Sequence, residues 1–518
     1  MEKIIGAAAA AAMVFCISNT AYAKTTYNVT RFAGLDRYET SAKIANNFEG
    51  ETLQNIILAS GKDFADALGG SVLSKKHNAP ILLLNDNVND NSDAIEYIKN
   101  HLDKNGAIYA LGGTASISDE LLDYIKQLGY TNITRLGGQN RFDTNKSVVN
   151  SMNVEKGTPI VIANGWGFAD ALSISSAAAS KGYPIFMTDD AALPEETKSL
   201  ISSINPEQVY IIGGQGSVKD NVISQLKSLV PSLNDNSIIR VWGQDRYETS
   251  LNICKYFDLS ADTAVLASGA DFPDALSGSA LASKLNAPVI LTDGSDISNQ
   301  KIFMDEKAYK NIFILGGIAS IDLPVEYLLK APSDVSQLEK DYINNLKNYC
   351  ESYKSKSNTS SSQLAQVYTN ATNIMTNLNS ASSIDEISED LKQLIQSFQQ
   401  GSSYLSVYKN DLTSLRDEVS NLSIPEGLET LNKQYLDSIN AEIEAVNTSL
   451  NYTNQCTDIL TSLKDAVDNS DIDKMDTEAS KLQDLSKDAE SNLDIANKDN
   501  GIDSLYTQIT TSLNNLGQ

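Results

Sequence analysis

Histidine and cysteine are nearly missing from this chain of 518 residues, which has two of the first and four of the second. His77 and His101 fall in one stretch without counterparts elsewhere, and no HExxH, CxxC or GxSxG pattern occurs. A histidine base, a zinc centre or a serine elbow therefore has no candidate residues, and neither a metal nor another cofactor is expected. Hydrolysis by paired carboxylates stays open, because acids are plentiful although no pair stands out. Cys16 sits in the N-terminal apolar run, and Cys254, Cys350 and Cys456 are scattered through helical patterns. Buried free thiols are expected rather than a disulfide framework. Positive charge is also scarce: 40 basic residues face 66 acidic ones, a net charge of −26. No general basic field exists to hold nucleic acid or anionic lipid.

Long apolar runs are missing after the N-terminus, so no later membrane span is expected. Residues 1–23 differ, with Lys3, an alanine-rich run from Ile4 to Ile17 and the ending Ala21-Tyr22-Ala23. That is the pattern of a secretory signal peptide cleaved after Ala23, so the mature chain is expected outside the cell. No hydrophobic tail or LPxTG-like sorting signal is seen at the other end. A mature protein kept at a surface would then have to be held by its folded part.

What the chain does have is a threefold repeat. TRFAGLDRYET at Thr30 returns as TRLGGQNRFDT at Thr134 and IRVWGQDRYET at Ile239. ILASGKDFADAL at Ile57 returns at Val161 and Val265, and IYALGGTASI at Ile108 returns at Val209 and Ile312. The spacing of about 100 residues is domain-sized and far beyond a solenoid period. Within each copy, short apolar runs such as NIILA and APILLL alternate with helical patterns, and the connections are short. Such alternation predicts an α/β fold with a parallel sheet covered on both faces, Rossmann-like or flavodoxin-like. The boundaries expected are 24–130, 131–233 and 234–331. From residue 332 to 518 proline and glycine almost vanish, and apolar residues recur at helical spacing, as in Leu431, Tyr435, Ile439, Ile443 and Val446. An antiparallel helical bundle or stalk is predicted there, with breaks near Ser357–Ser362, Gly401–Ser403, Ile424–Gly427, Asn469-Ser470 and Asp499–Gly501.

Arginine is the sharpest signal. Of seven arginines, six form the pairs Arg31/Arg37, Arg135/Arg141 and Arg240/Arg246, while lysine serves almost everywhere else. Guanidinium is a planar fork suited to carboxylate or phosphate. Two explanations compete. The arginines could join modules, with Glu39, Asp143, Glu248 or the Asp66 set as partners, or some could face a groove and hold an anion. Asp66, Asp170 and Asp274 are expected in the first turn of a helix, where a carboxylate complements the dipole. Negative charge at that place speaks against a nucleotide site, as does the lack of GxGxxG or GxxxxGK[ST] spacing around the Gly-Gly pairs.

The motifs R-x-x-G-x-D-R-[YF], [ILV]-A-[SN]-G-x-x-F-x-D-A-L, N-A-P-[IV]-[IL]-L and [LI]-G-G, in three ordered copies over Asn28–Leu329, resemble the clostridial cell-wall-binding repeat 2 family. The resemblance implies three Rossmann-like modules about a pseudo-threefold axis. It also implies non-covalent anchoring to an anionic secondary wall polysaccharide of Gram-positive bacteria, with arginines on the polymer. Pro80-Ile81-Leu82-Leu83 and the equivalents at Pro184 and Pro288 are implied in module packing or a groove, together with Asp66, Asp170 and Asp274. Asn140 and Gly167 depart from the pattern, which puts the second module's share in question. The helical region is expected to be displayed outward, with other surface-layer proteins as a further partner class. A binding rather than catalytic protein is the expectation. A wall amidase or amidase modifier, and a structural surface-array protein, are the other readings.

Overall fold

The computed structural model describes residues 26–48, 52–378, 380–496 and 502–516; the leader read at 1–23 lies outside them. The first repeat runs β1 (Asn28–Phe32), α1 (Arg37–Ala45), β2 (Leu53–Ser60), α2 (Gly70–His77), β3 (Ile81–Leu84), α3 (Ser92–His101), β4 (Leu102–Leu111) and α4 (Asp119–Gln127). The second runs β5 (Ile133–Leu136), α5 (Arg141–Ser151), β6 (Ile160–Asn164), α6 (Ala169–Lys181), β7 (Ile185–Thr188), α7 (Glu195–Ile204), β8 (Val209–Ile212) and α8 (Asn221–Leu229). The third runs β9 (Ile238–Val241), α9 (Arg246–Phe257), β10 (Thr263–Ser268), α10 (Pro273–Leu285), β11 (Val289–Thr292), α11 (Ser298–Lys307), β12 (Asn311–Leu315) and α12 (Leu323–Leu329). Each repeat's first helix starts on a side-chain cap. Asp36, Asn140 and Asp245 each accept from the backbone amides two and three residues on. Asparagine caps as well as aspartate, so the departure at Asn140 leaves this device intact.

Among the described residues the strands form three parallel four-stranded sheets, ordered β3-β2-β4-β5, β7-β6-β8-β9 and β11-β10-β12-β1. Repeat and sheet are out of step by one strand. The first strand of each repeat completes the sheet of the repeat before it, and β1 completes the third, with Asn28 opposite Asn311 and Phe32 opposite Leu315. The three units are thereby closed into a ring.

The helices α2, α6 and α10 pack on one another at the middle of that ring. Their small residues permit close approach: Ser71 Oγ donates to the Ser175 carbonyl at 3.1 Å, and a Cβ on Gly278 would stand 1.9 Å from Leu315 Cδ1. One apolar core runs through all three modules, from Ile57 and Leu83 through Phe186 to Leu276 and Leu291. In β3 the faces divide with the two-residue strand period: Ile81 and Leu83 enter this common core, Leu82 and Leu84 a second core under α3 and α4. One element departs from expectation. The helix expected to hold Asp66 in its first turn begins only at Gly70, and Asp66 lies in a turn. Asp63 Oδ1 accepts from the Ala65 amide, a local bond that competes with helix formation.

The second compact unit comprises 33–35, 317–328 and 332–518. Its helices α13 (Gln337–Leu378), α14 (Ile384–Ser420), α15 (Glu429–Asp468), α16 (Ile472–Ala496) and α17 (Ile502–Leu516) surround a core of Tyr342, Leu346, Leu412, Leu431, Tyr435 and Ile439, which Leu323 and Tyr327 of α12 also enter. The breaks at Ile424–Gly427 and Asn469-Ser470 are present, with Gly427 at φ +88°. Those predicted at Ser357–Ser362 and Gly401–Ser403 are absent. Thr359 and Ser362 hydroxyls donate to carbonyls four residues back and leave α13 unbroken. Gly401 lets α14 approach Val367 and Thr453, so helix packing outweighs its low propensity. The break at Asp499–Gly501 lies outside the described residues. Cys254 and Cys350 are buried free thiols, each pushed by burial up to about 12, and Cys456 is a half-buried free thiol.

Candidate functional site

In a parallel sheet the strand carboxyl ends and the following helix amino ends share one face, where ligands of open α/β folds bind. On that face Phe64, Phe168 and Phe272, one from each repeat, meet with ring centroids 5.5, 5.7 and 6.2 Å apart. Three arginines surround them. Arg37 lies 5.6 Å over Phe272, Arg141 5.9 Å over Phe64 and Arg246 5.4 Å over Phe168, each on the ring of the preceding repeat in cyclic order. Each also donates through one Nη to a glycine carbonyl at the end of its own repeat's strand: Gly61 at 2.6 Å, Gly165 at 2.7 Å and Gly269 at 2.5 Å. Arg37 and Arg141 are half-buried and Arg246 is exposed. Among the described residues neither Arg141 nor Arg246 has a carboxylate at ion-pair distance, whereas Arg37 meets Asp271 at 3.2 Å.

Arg31, Arg135 and Arg240 are placed differently. They lie in β1, β5 and β9 and tie the exchanged strand to the Gly-Gly turn of the preceding module. Arg31 bonds the Gly316 carbonyl at 2.9 Å, Arg135 those of Gly112 and Gly113 at 3.0 Å, and Arg240 that of Gly213 at 2.8 Å. Arg135 and Arg240 also pair with Asp119 and Asp220, at 2.8 and 3.0 Å. Asp119, Asp220 and Asp271 are thus among the carboxylates that pair with these arginines. Among the candidates named from sequence, Glu39 pairs with Lys43 and Glu248 accepts from the Gln244 amide.

Asp66 and Asp170 accept from Ser116 and Ser217, fastening the turn after β4 to the turn that leads into α2 and the turn after β8 to the first turn of α6. Burial raises the Asp170 carboxyl above its ordinary range, against the opposing pull of Ser217 and Arg246. A raised acid contributes stability that is complete below the ordinary carboxylate value and is lost as pH rises through the raised one. Asp170→Asn should therefore unfold at a higher temperature than the parent near about pH 7, with the advantage gone near about pH 3. Thermal unfolding across that range checks it, and a parent more stable at neutrality would contradict it. Pro80, Pro184 and Pro288 lie at the opposite sheet edge, buried, their carbonyls accepting from Ile57, Val161 and Val265 at 2.9–3.0 Å. Ile81, Leu82 and Leu83 are at most 1% exposed, whereas Pro184 lines a cleft of about 310 Å³ beside Val72, Met152 and Ala179.

The chain's two tryptophans, absent from the sequence-derived site, meet in one cleft of about 690 Å³ over the second sheet. Trp166 follows β6 and Trp242 follows β9, and Asp170, Gln215, Gln244 and Arg246 share the lining. Repeat alignment holds the signal: Trp166 stands where the other copies have Lys62 and Ala270, and Trp242 where they have Ala33 and Gly137.

The family model described as Cell wall binding domain 2 (CWB2) matches residues 31–122, 135–223 and 240–326. An N-acetylmuramoyl-L-alanine amidase, LytC, of Bacillus subtilis is 31% identical over 59% of this chain and 58% of its own length. An amidase enhancer of the same organism is 32% identical over 62% of this chain and 45% of its own. The solved structure of Cwp6 from Clostridium difficile superposes with a TM-score of 0.53 at 26% identity, covering 59% of this chain and 48% of that one. Cwp8 from Clostridium difficile gives 0.50 at 25%, covering 56% and 49%. The chain thus spans about half the length of these relatives. No helix among the described residues is long and apolar enough to cross a membrane.

Proposed function

We propose, on the premise that this chain belongs to the cell wall binding domain 2 family, that its three modules hold it non-covalently on an anionic wall polysaccharide while the helical bundle is displayed. It is a surface protein of the cell wall, and its repeat region is a binding module rather than a catalytic fold. The observation that supports the finer reading is the set of three solvent-accessible guanidiniums, Arg37, Arg141 and Arg246, around the Phe64–Phe168–Phe272 cluster. In a chain of net charge −26, long-range attraction to an anionic polymer is unfavourable, so cations must act locally at the ligand. Contacts of this kind are individually weak, and three on one rigid ring gain from effective concentration.

The test is sedimentation of the full chain with isolated clostridial walls, before and after chemical removal of the anionic polymer. Retention should vanish with the polymer and fall as salt rises. Equal retention on stripped walls would overturn the proposal.

A further inference from the structure

The three module ends do not carry the same chemistry, and the second stands apart in two independent ways. Its cleft holds both tryptophans, 61% and 47% exposed in a protein whose other large aromatic groups are mostly buried. These rings are fixed in place. Arg141 lies 4.1 Å over the Trp166 ring, Phe142 meets it edge-on at 6.1 Å, and Trp166 Nε1 donates to Asp189 at 2.5 Å. Trp242 lies against Gly214, whose Cβ would come within 3.3 Å of the indole. Flat rings held on one side and open on the other suit the C–H face of a pyranose, which packs on an aromatic π surface.

The second difference is electrostatic. Arg37 meets Asp271, and the position equivalent to Asp271 beside Arg246 is Gly167. Gly167 leaves open space where a side chain would start, so the exposed Arg246 lacks that carboxylate. We infer that this cleft is the sugar-reading site of the ring, taking a saccharide unit with an anionic substituent: Trp166 and Trp242 pack on the sugar and Arg246 binds the anion. The inference rests on the wall-polysaccharide reading and names the place and residues that reading leaves open.

Because the chain has only these two tryptophans, their emission, excited at the red edge where its 22 tyrosines do not absorb, reports this cleft alone. Anionic polysaccharide released from clostridial walls, added to the full chain, should shift that emission and protect it from acrylamide. The same polysaccharide stripped of its acidic groups should do so about tenfold more weakly. Gly167→Asp restores the missing carboxylate beside Arg246 in open space. It should keep the parent's unfolding temperature and weaken the polysaccharide-induced shift by about tenfold. Wall retention of the parent with no change in emission would overturn the cleft assignment and leave wall anchoring standing. An equal response to stripped polysaccharide would overturn the anion's part. Failure of the parent to bind walls at all would remove both.

Discussion

Deleting β1 should collapse the cooperative unfolding of all three modules, although it removes a handful of residues from one end. A chain starting at residue 33 loses the ladder from Asn28–Asn311 to Phe32–Leu315 and the Arg31 tie to Gly316. It also loses Tyr27, 2% exposed, and Phe32, which packs edge-on against Phe313 at 5.1 Å. Two such side chains are worth about 3–6 kcal/mol, a large share of what holds a domain folded. The loss leaves β12 as an unpaired edge. A fall in Tm of roughly 10 °C or more is expected for the module transition. The same geometry governs fragments. Residues 131–233 carry β5 without its partner β4, and their own sheet lacks β9. Such a fragment should not unfold cooperatively, so a single module cannot serve as a reduced-valency ligand. A cooperative transition in 131–233 would contradict the ring.

Much of this architecture is written locally. Caps at Asp36, Asn140 and Asp245, fully apolar strands and helical stripes all act through neighbours in sequence, so α/β modules followed by a helical bundle were legible. Strand exchange was not. Val29–Phe32 looks the same whether it pairs within its repeat or with β12, because pairing partners are set by tertiary packing. Helix ends failed where a local bond or a packing contact outweighed propensity, at Asp63 and Gly401. The arginines were legible as a set, through their rarity, but their division into two groups depends on which strand end each reaches. The tryptophans were overlooked because Trp166 and Trp242 belong to different repeats and meet only through the exchanged β9. Gly167, which from sequence put the second module's share in question, has open space where a side chain would start.

That division of the arginines carries the second large effect. Arg240, with a side chain 15% exposed, satisfies the Gly213 carbonyl and Asp220. Its removal leaves the buried Gly213 carbonyl without this donor, while Asp220, 58% exposed, turns to water, and should cost about 1–2 kcal/mol of stability. Arg246 is exposed, but its removal leaves the buried Gly269 carbonyl without this donor and Phe168 and Asp170 without its charge, so it should cost about 1 kcal/mol of stability. Its loss should also weaken polymer binding about tenfold, as expected for a charge-assisted contact. The direct measurement is wall sedimentation of full-length Arg246→Ala and Arg240→Ala, each well below its own Tm. Retention lost by the first and kept by the second is the expected result. Retention kept by Arg246→Ala, or lost only with Arg240→Ala, would contradict the assignment of the solvent-accessible arginines to the wall polymer.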